Sequence, residues 1–295
     1  MEKFITPEAI LATNTSSLSV EQIGAKLKNP ERVVGFHFFN PVAVMPLIEV
    51  VRTPHTTDET LATAMATAAK LRKNAVITKD TPGFVVNRIL GPYMNEAAFL
   101  LAEGAGAERI DRVMEKFGMP MGPITLLDEV GLDVAAKVSK VLFGAFGERM
   151  KPPGLFDKVF EEKRFGKKSG KGIYLWEDGK KSHLDKEFLS RVGIQDGSGK
   201  ATDEEIEKRL VYLMVNEAAR CLEEGLVRDV SDIDIGMIFG TGFAPFRGGL
   251  CRYADTVGAE HIVADLEIYA RNLGTRFQPA PYLQQLAVGN KKFYS

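Results

Sequence analysis

The second half of the chain repeats part of its own sequence. Residues 87–104 align with residues 208–225 at a constant offset of 121. The identical pairs in this alignment are Arg88/Arg209, Asn95/Asn216, Glu96/Glu217, Ala97/Ala218, Ala98/Ala219, Leu101/Leu222, Glu103/Glu224 and Gly104/Gly225. Further matches join Ile110 and Asp111 to Ile233 and Asp234, and Asp128, Val130 and Gly131 to Asp255, Val257 and Gly258. A repeat of about 120 residues is too long for one solenoid unit, so the sequence predicts two copies of one helical domain packed face to face.

The region before the repeat has a different pattern. Between residues 10 and 80, short β-rich runs alternate with helical patterns, which is typical of an α/β unit with some parallel strand pairing. The predicted strands are 10–13, 32–38, 47–52 and 75–78, and the predicted helices are 19–27 and 58–71. Ser19 is the expected N-cap of the first helix, with Gln22 closing a capping box, and Thr57 or Asp58 caps the second. From Thr81 onward helical patterns dominate, beginning with a predicted helix 82–103 that Gly104 ends.

Composition and charge exclude several classes of function. The length of 295 residues predicts roughly two domains, and the net charge of -1 with interspersed signs gives no footprint for nucleic acid. We expect no membrane span, because no run of about eighteen apolar residues occurs, and no secretory signal. Cys221 and Cys251 show no metal-ligand spacing with the histidines, so we expect no metal site and a reducing compartment, either the cytoplasm or the mitochondrial matrix.

Two ionisable residues near the predicted strands are candidates for catalysis. His37 lies at the end of the 32–38 run, and Glu49 follows the apolar run 42–48. Histidine exchanges protons near neutral pH, and a carboxylate can hold its tautomer and stabilise its cation. Taken alone, each residue is equally compatible with a structural role. For Asn14 and Ser16, which follow the first predicted strand, the residue types alone favour a turn.

Four motifs in fixed order resemble those of the 3-hydroxyacyl-CoA dehydrogenases. They are Asn-Thr-Ser-Ser at 14–17, His-Phe-Phe-Asn-Pro at 37–41, Ile-Glu-Val at 48–50 and Asp-Thr-Pro-Gly-Phe-Val-Val-Asn-Arg at 80–88. The duplicated helical region and the segments 240–249 and 291–295 are similar to the α subunits of multifunctional fatty-acid β-oxidation complexes. The resemblance implies an α/β remnant of a Rossmann-type NAD-binding domain at 1–80, followed by two mainly α-helical, duplicated dehydrogenase C-terminal domains at 81–200 and 201–295.

The resemblance also implies a reaction and a set of site residues. The reaction is oxidation of an (S)-3-hydroxyacyl-CoA thioester to the 3-oxoacyl-CoA with NAD, carried out as part of a longer protein or complex. The implied roles are His37 as general base paired with Glu49, Ser16 and Asn87 on the substrate's C3 oxygen, and Asn14, Ser16 and Asn40 along the nicotinamide end of NAD. A thiolase subunit and self-association are the implied protein partners. Because the repeat places Lys208 at the position of Asn87, the second copy is expected to be structural.

The sequence departs from this family at its beginning. Complete members start the dehydrogenase with a strand, a Gly-x-Gly-x-x-Gly turn and a helix, which seat the pyrophosphate. The segments 104–109 and 240–245 contain glycines but follow no predicted strand. We therefore expect an N-terminally truncated version of a longer protein, weakly active or inactive on its own. One alternative is a catalytically silent assembly or dimerisation fragment. Another is a β-hydroxyacid dehydrogenase acting on free acids, which the His37 and Glu49 arrangement disfavours because those enzymes use a lysine.

Overall fold

The computed structural model describes residues 4–6, 8–16 and 18–294, so Ser17 of the first motif lies outside the described residues. A four-stranded sheet forms from β1 (Leu11–Thr13), β2 (Val33–Phe38), β3 (Leu47–Arg52) and β4 (Asn74–Lys79), in that order. The β1/β2 and β3/β4 pairs are parallel, and helices α1 (Val20–Gly24) and α2 (Asp58–Lys70) connect their strands. The β2/β3 pair is antiparallel. The connection over residues 39–46 is too short for the crossover that a parallel pair needs.

Both helices beside the sheet start at the predicted caps. The Ser19 hydroxyl accepts from the Gln22 amide at the start of α1, and Thr57 accepts from Thr60 at the start of α2. α1 ends at Gly24, before the predicted end at residue 27. Glycine lowers helix propensity, and the chain turns away from the helix after this residue. The predicted helix 19–27 was therefore too long at its C-terminal end.

The rest of the chain is mainly helical. Its helices are α3 (Val86–Ala102), α4 (Ala107–Phe117), α5 (Pro123–Val130), α6 (Leu132–Phe146), α7 (Leu155–Glu161), α8 (Lys186–Arg191), α9 (Asp203–Glu223), α10 (Val230–Thr241), α11 (Leu250–Val257), α12 (Ala259–Leu273) and α13 (Pro281–Val288). A hairpin of β5 (Tyr174–Glu177) and β6 (Lys180–Leu184) interrupts them. One continuous apolar core joins these helices, with α3 packed along α9.

α3 begins four residues later than the predicted start at residue 82. Gly83 and Phe84 have φ angles of +78° and +48°, in the left-handed region, which a right-handed helix cannot include. The chain instead makes a turn in which the Phe84 amide donates to the Thr81 carbonyl. The predicted end at Gly104 is confirmed, since α3 stops at Ala102 and Gly104 has a φ of +82°.

The first half of the helical region contributes a buried arginine to the second half. The Arg88 guanidinium donates from Nε to Glu217 and from Nη1 to Glu224, both at 2.7 Å. The Arg88 side chain is fully buried, whereas that of Glu224 is 43% exposed. Both ion pairs therefore link α3 of the first copy to the α9 segment of the second copy.

The equivalent contact runs in the opposite direction. Arg209, which aligns with Arg88, donates from Nε to Glu96 at 2.8 Å and from Nη1 to Glu103 at 2.7 Å. Its side chain is 1% exposed and that of Glu103 is 41% exposed. The two copies thus face one another about a pseudo-twofold relation, as the sequence repeat predicts.

Buried aspartates hold the same positions in both copies. Asp111 accepts from the Ile124 and Thr125 amides and the Tyr174 hydroxyl, and Asp234 accepts from the Cys251 and Arg252 amides and the Tyr294 hydroxyl. Burial raises the pKa of both carboxyl groups. These matches extend the sequence repeat to contacts that the alignment alone does not reveal.

Candidate functional site

His37 and Glu49 form a hydrogen-bonded pair inside the sheet. They are register partners across the antiparallel β2/β3 pair, and His37 Nδ1 lies 2.8 Å from Glu49 Oε2. His37 is 5% exposed and Glu49 is fully buried. The apolar run 42–48 was not one element, because residues 42–44 form an exposed turn and Glu49 is the third residue of β3. Glu49 occupies Nδ1, so Nε2 is the ring nitrogen that can exchange a proton with a ligand.

The start of α3 holds the other oxygen of the glutamate. Glu49 Oε1 accepts from the Val85 amide at 3.0 Å and from the Val86 amide at 2.9 Å. The first amides of a helix lack partners within the helix and favour an anion. Glu49 is therefore held in place from both sides, by His37 and by the start of α3. Sequence reasoning missed these two amides, because a backbone donor leaves no residue-specific signal.

Two aromatic rings enclose the imidazole. The Phe39 ring lies edge-on to His37 with centroids 4.7 Å apart, and the Phe84 ring lies at 5.6 Å. Phe84 reaches this position from the left-handed backbone conformation described above, which is an outlier for a bulky residue. The turn thus places the Phe84 ring against His37. It also directs the amides of the next two residues, Val85 and Val86, at Glu49.

The other predicted site residues lie at two places around this pair. Asn14 follows β1, and its side-chain oxygen accepts from the Phe38 amide at 2.9 Å, which ties the ends of β1 and β2 together. Ser16 and Asn40 are exposed in the segments that follow these two parallel strands. Asn87 is half-buried on α3 and lines a groove between α3 and α6.

The described residues contain no seat for a pyrophosphate. The N-terminus of α1 already faces a carboxylate, because Asp80 accepts from the Glu21 amide at 2.7 Å and the Ser19 hydroxyl at 2.8 Å. Thr57 caps α2, and neither strand-to-helix connection contains glycine. The glycines of 104–109 link α3 to α4, and residues 240 and 241 belong to α10, so neither segment follows a strand.

The second copy packs against the sheet that carries His37 and Glu49. Helix α10 packs against β3, β4 and α3. A Cβ at Gly240 would lie 2.7 Å from Leu47 and 3.2 Å from Val86, so a larger residue there would push on the elements that hold Glu49. The Lys79 amide at the end of β4 also donates to the Leu226 carbonyl at 3.0 Å.

The described part of the chain also bears on membrane insertion and metal binding. No helix there has the length and apolar character needed to cross a bilayer. No group of three or more His, Cys, Asp and Glu side chains in the same residues has the arrangement of a metal site.

Comparison with known proteins identifies both regions. The family model for the 3-hydroxyacyl-CoA dehydrogenase NAD-binding domain matches residues 1–81, and the model for the C-terminal domain of the same family matches residues 83–176 and 206–292. A Rossmann-type region followed by a duplicated helical region is therefore the architecture of this chain. The second C-terminal match is the copy that the sequence repeat predicts.

Relatives and solved structures agree with this assignment. The fatty acid oxidation complex subunits alpha of Shewanella amazonensis and Idiomarina loihiensis are each 48% identical to the chain, cover all of it, and are themselves covered to 42%. The chain thus spans about two fifths of the length of these relatives. The structure of 3-hydroxybutyryl-CoA dehydrogenase from Escherichia coli is 28% identical with a TM-score of 0.80, over 97% of this chain and 77% of that one. The dehydrogenase part of multifunctional enzyme 1 from C. elegans is 29% identical with a TM-score of 0.67, over 96% and 66%. The chain belongs to the 3-hydroxyacyl-CoA dehydrogenase family.

Proposed function

We propose that this chain carries the proton-transfer site of an NAD-dependent dehydrogenase that oxidises (S)-3-hydroxyacyl-CoA thioesters to 3-oxoacyl-CoA. The observation that carries the proposal is the buried His37–Glu49 pair, with the carboxylate held at the start of α3. Family membership supports the reaction class.

His37 acts as the general base in this proposal. Its Nε2 takes the proton of the C3 hydroxyl while the C3 hydrogen leaves as hydride, for which NAD supplies the acceptor when bound. The imidazole becomes a cation, and Glu49 stabilises that cation without taking its proton. The two amides on Oε1 keep the carboxylate in place throughout.

The remaining predicted residues bind and orient in the same scheme. Ser16 and Asn87 donate hydrogen bonds to the C3 oxygen, and Asn14, Ser16 and Asn40 face the nicotinamide end of NAD. The positions of these residues support the proposed roles. Asn14, Ser16 and Asn40 follow the C-terminal ends of parallel strands, where α/β sheets bind ligands. Asn87 lies one residue beyond Val86, whose amide holds Glu49.

We further propose the context in which the chain acts. Its NAD-binding part is 1–80 and its two helical domains are 81–200 and 201–295. The relatives named as complex subunits support assembly with other subunits, for which we propose a thiolase and a second copy of the chain, in the bacterial cytoplasm or the mitochondrial matrix. The chain alone is weakly active or inactive, because its described residues lack a pyrophosphate seat.

The test is NADH oxidation with acetoacetyl-CoA, comparing this chain with a version extended at its N-terminus by the strand, glycine-rich turn and helix of a relative. We expect activity in the extended version, and a loss of about 10²- to 10⁴-fold on His37→Ala and on Glu49→Gln. His55→Ala, an exposed histidine, is the control. Unchanged turnover in His37→Ala would contradict the proposed base and favour a catalytically silent assembly fragment.

A further inference from the structure

Asp80 lies at the point where the sheet ends and the turn before α3 begins. It follows β4 directly, and its amide donates to the carbonyl of the last residue of β3 at 3.2 Å. The next residue, Thr81, accepts from the Phe84 amide and so starts the left-handed turn that places the Phe84 ring against His37. The backbone of Asp80 is therefore joined both to β3 and to the turn beside His37.

The Asp80 side chain contacts a different part of the molecule. Its Oδ2 accepts from the Ser19 hydroxyl at 2.8 Å and from the Glu21 amide at 2.7 Å. Ser19 is also the N-cap of α1 and ends the segment 14–19, which contains Ser16 and which we call the Ser16 segment. Asp80 therefore holds the C-terminal end of the Ser16 segment.

A second contact fixes the other end of the Ser16 segment. Asn14 Oδ1 accepts from the Phe38 amide at the end of β2, at 2.9 Å. Between the two anchors, the Leu18 amide donates to Thr15 Oγ1 at 2.9 Å, and Ser16 is exposed. Ser16 thus lies on a short segment with one side-chain hydrogen-bond anchor at each end. The anchor at the C-terminal end is the one that leads to α3.

The second copy starts its equivalent helix without this arrangement. The offset of 121 pairs Asp80 with Ala201 and Thr81 with Thr202. Thr202 caps α9, which begins at the next residue, whereas α3 begins only at Val86, after the left-handed turn. The first copy thus has a carboxylate and a turn where the second copy has an ordinary cap. Packing of α3 along α9 therefore does not explain Asp80.

We propose that Asp80 is a positioning residue that sets the separation between Ser16 and Asn87, the two side chains proposed to donate to the C3 oxygen. The inference rests on the proposed function, because that function gives these two residues their role. Ser16 is held through the Asp80 side chain, and Asn87 follows the turn that begins at the next residue. Hydrogen bonds to a carboxylate are shorter and stronger than neutral ones, so they fix this separation firmly. Without them, Ser16 moves away from the oxygen and one of the two donors is lost.

Calorimetric titration of the whole chain with acetoacetyl-CoA tests this link without requiring turnover, since the C3 oxygen of that thioester is a hydrogen-bond acceptor. We expect Ser16→Ala and Asp80→Ala each to weaken binding by about three- to tenfold, which is the contribution of one hydrogen bond. In the Ser16→Ala background, Asp80→Ala should weaken binding less than about twofold further, because Asp80 acts through Ser16. Asp80→Asn should recover most of the affinity, because its side-chain oxygen still accepts from Ser19 and Glu21.

Ser19→Ala and Thr57→Ala are a matched pair of cap variants beside the same sheet. Each removes a hydroxyl that accepts from an amide in the first turn of its helix, at 3.1 Å in α1 and at 3.2 Å in α2. Of the two hydroxyls, that of Ser19 also donates to Asp80. Ser19→Ala should weaken acetoacetyl-CoA binding at least about threefold, and Thr57→Ala less than about 1.5-fold. This pair decides the question if Asp80→Ala does not fold.

Failure of this inference and failure of the proposed function give different results. Equal losses on Asp80→Ala with and without Ser16→Ala, or no recovery in Asp80→Asn, would overturn the positioning role and leave the thioester substrate standing. Equal effects of Ser19→Ala and Thr57→Ala would do the same. A parent chain that binds no acetoacetyl-CoA, or whose binding Ser16→Ala leaves unchanged, would overturn the role of Ser16 in the proposed function and this inference with it.

Discussion

The two helical copies share their buried polar contacts and differ in the groove. Each sends one arginine to two glutamates of the other, and each holds an aspartate with two amides and a tyrosine. The first copy has Asn87 and an apolar groove between α3 and α6, whereas the second has Lys208 and its ion pair with Asp265 at that place. The contacts needed for packing are thus present twice, and the groove and Asn87 beside the His37–Glu49 pair are present once.

The largest expected effect is on the crossed arginines. Arg209→Met leaves the buried Glu96 with Arg276, at 2.7 Å, as its remaining partner, so the loss should lie at the lower end of the about 3–5 kcal/mol that breaking a buried pair costs. Arg88→Met should lower the free energy of unfolding by a similar amount, because Glu217 likewise keeps another arginine, Arg149, at 3.3 Å. Urea denaturation measures both. Arg109→Met, at an ion pair with Asp203 whose side chain is 64% exposed, is the control and should cost less than about 1 kcal/mol. Unequal losses between Arg88 and Arg209 would break the equivalence of the two copies.

The tyrosine–aspartate contacts should show a smaller effect and a difference between the copies. Tyr174→Phe removes a hydrogen bond of 2.9 Å to buried Asp111, and we expect a loss of about 1.5–3 kcal/mol. Tyr294→Phe should cost less, because Tyr294 is partly exposed whereas Tyr174 is buried. Tyr93→Phe is the control, since the Tyr93 hydroxyl is buried and has no partner in the described part of the chain; it should be neutral or stabilising. A larger loss for Tyr294→Phe would contradict this ranking, which thermal unfolding can establish.

Glycine substitutions sharpen the contrast at the groove. Gly91→Ala should lower the free energy of unfolding by about 1 kcal/mol, because crowding against Leu142 exceeds the gain in helix propensity. Gly144→Ala on α6 is the matched control: nothing lies within 4 Å of its added Cβ, so it should gain up to about 1 kcal/mol. Stabilisation of both variants in urea denaturation would mean that Leu142 moves away from position 91 without cost, and would contradict the expected crowding.

The smallest effect concerns acid stability. The hydrogen bond from Arg88 lowers the pKa of Glu224, so this contact stabilises the fold above the ordinary carboxyl pKa and is lost as the pH falls through the lowered value. Glu224→Gln should therefore be less stable than the parent chain at neutral pH, and the difference should shrink from about pH 5 to about pH 3. Glu223→Gln, at an exposed neighbour, is the control in urea denaturation at both pH values. A constant difference across this range would refute the assignment.

Much of the fold could be predicted from local patterns. Alternating β-rich runs located all four strands to within one residue at each end, and Ser19 and Thr57 marked helix starts because capping is a local interaction. The repeat predicted the face-to-face helical pair. The start of α3 was missed because Phe84 takes a left-handed conformation that sequence patterns assign to glycine.

The site was predictable in part. His37 and Glu49 were identified, but their contact depends on the antiparallel register of β2 and β3, a non-local property. The amides of Val85 and Val86 depend on how α3 meets the sheet, which no residue type encodes. The groove between α3 and α6 was not predicted, because it becomes apparent only when the packing of the two copies is compared.

Glu49 belongs to the sheet by sequence and contacts the helical region through one of its two carboxylate oxygens. A molecule whose sheet has not seated on α3 leaves this carboxylate without two of its three partners and leaves His37 without a firmly oriented tautomer. In the proposed function, proton transfer would therefore depend on the docking of the two halves, because the pair has all its contacts only when the sheet is seated on α3. Exchange of the sheet or the helices between relatives would have to preserve this one junction before any other.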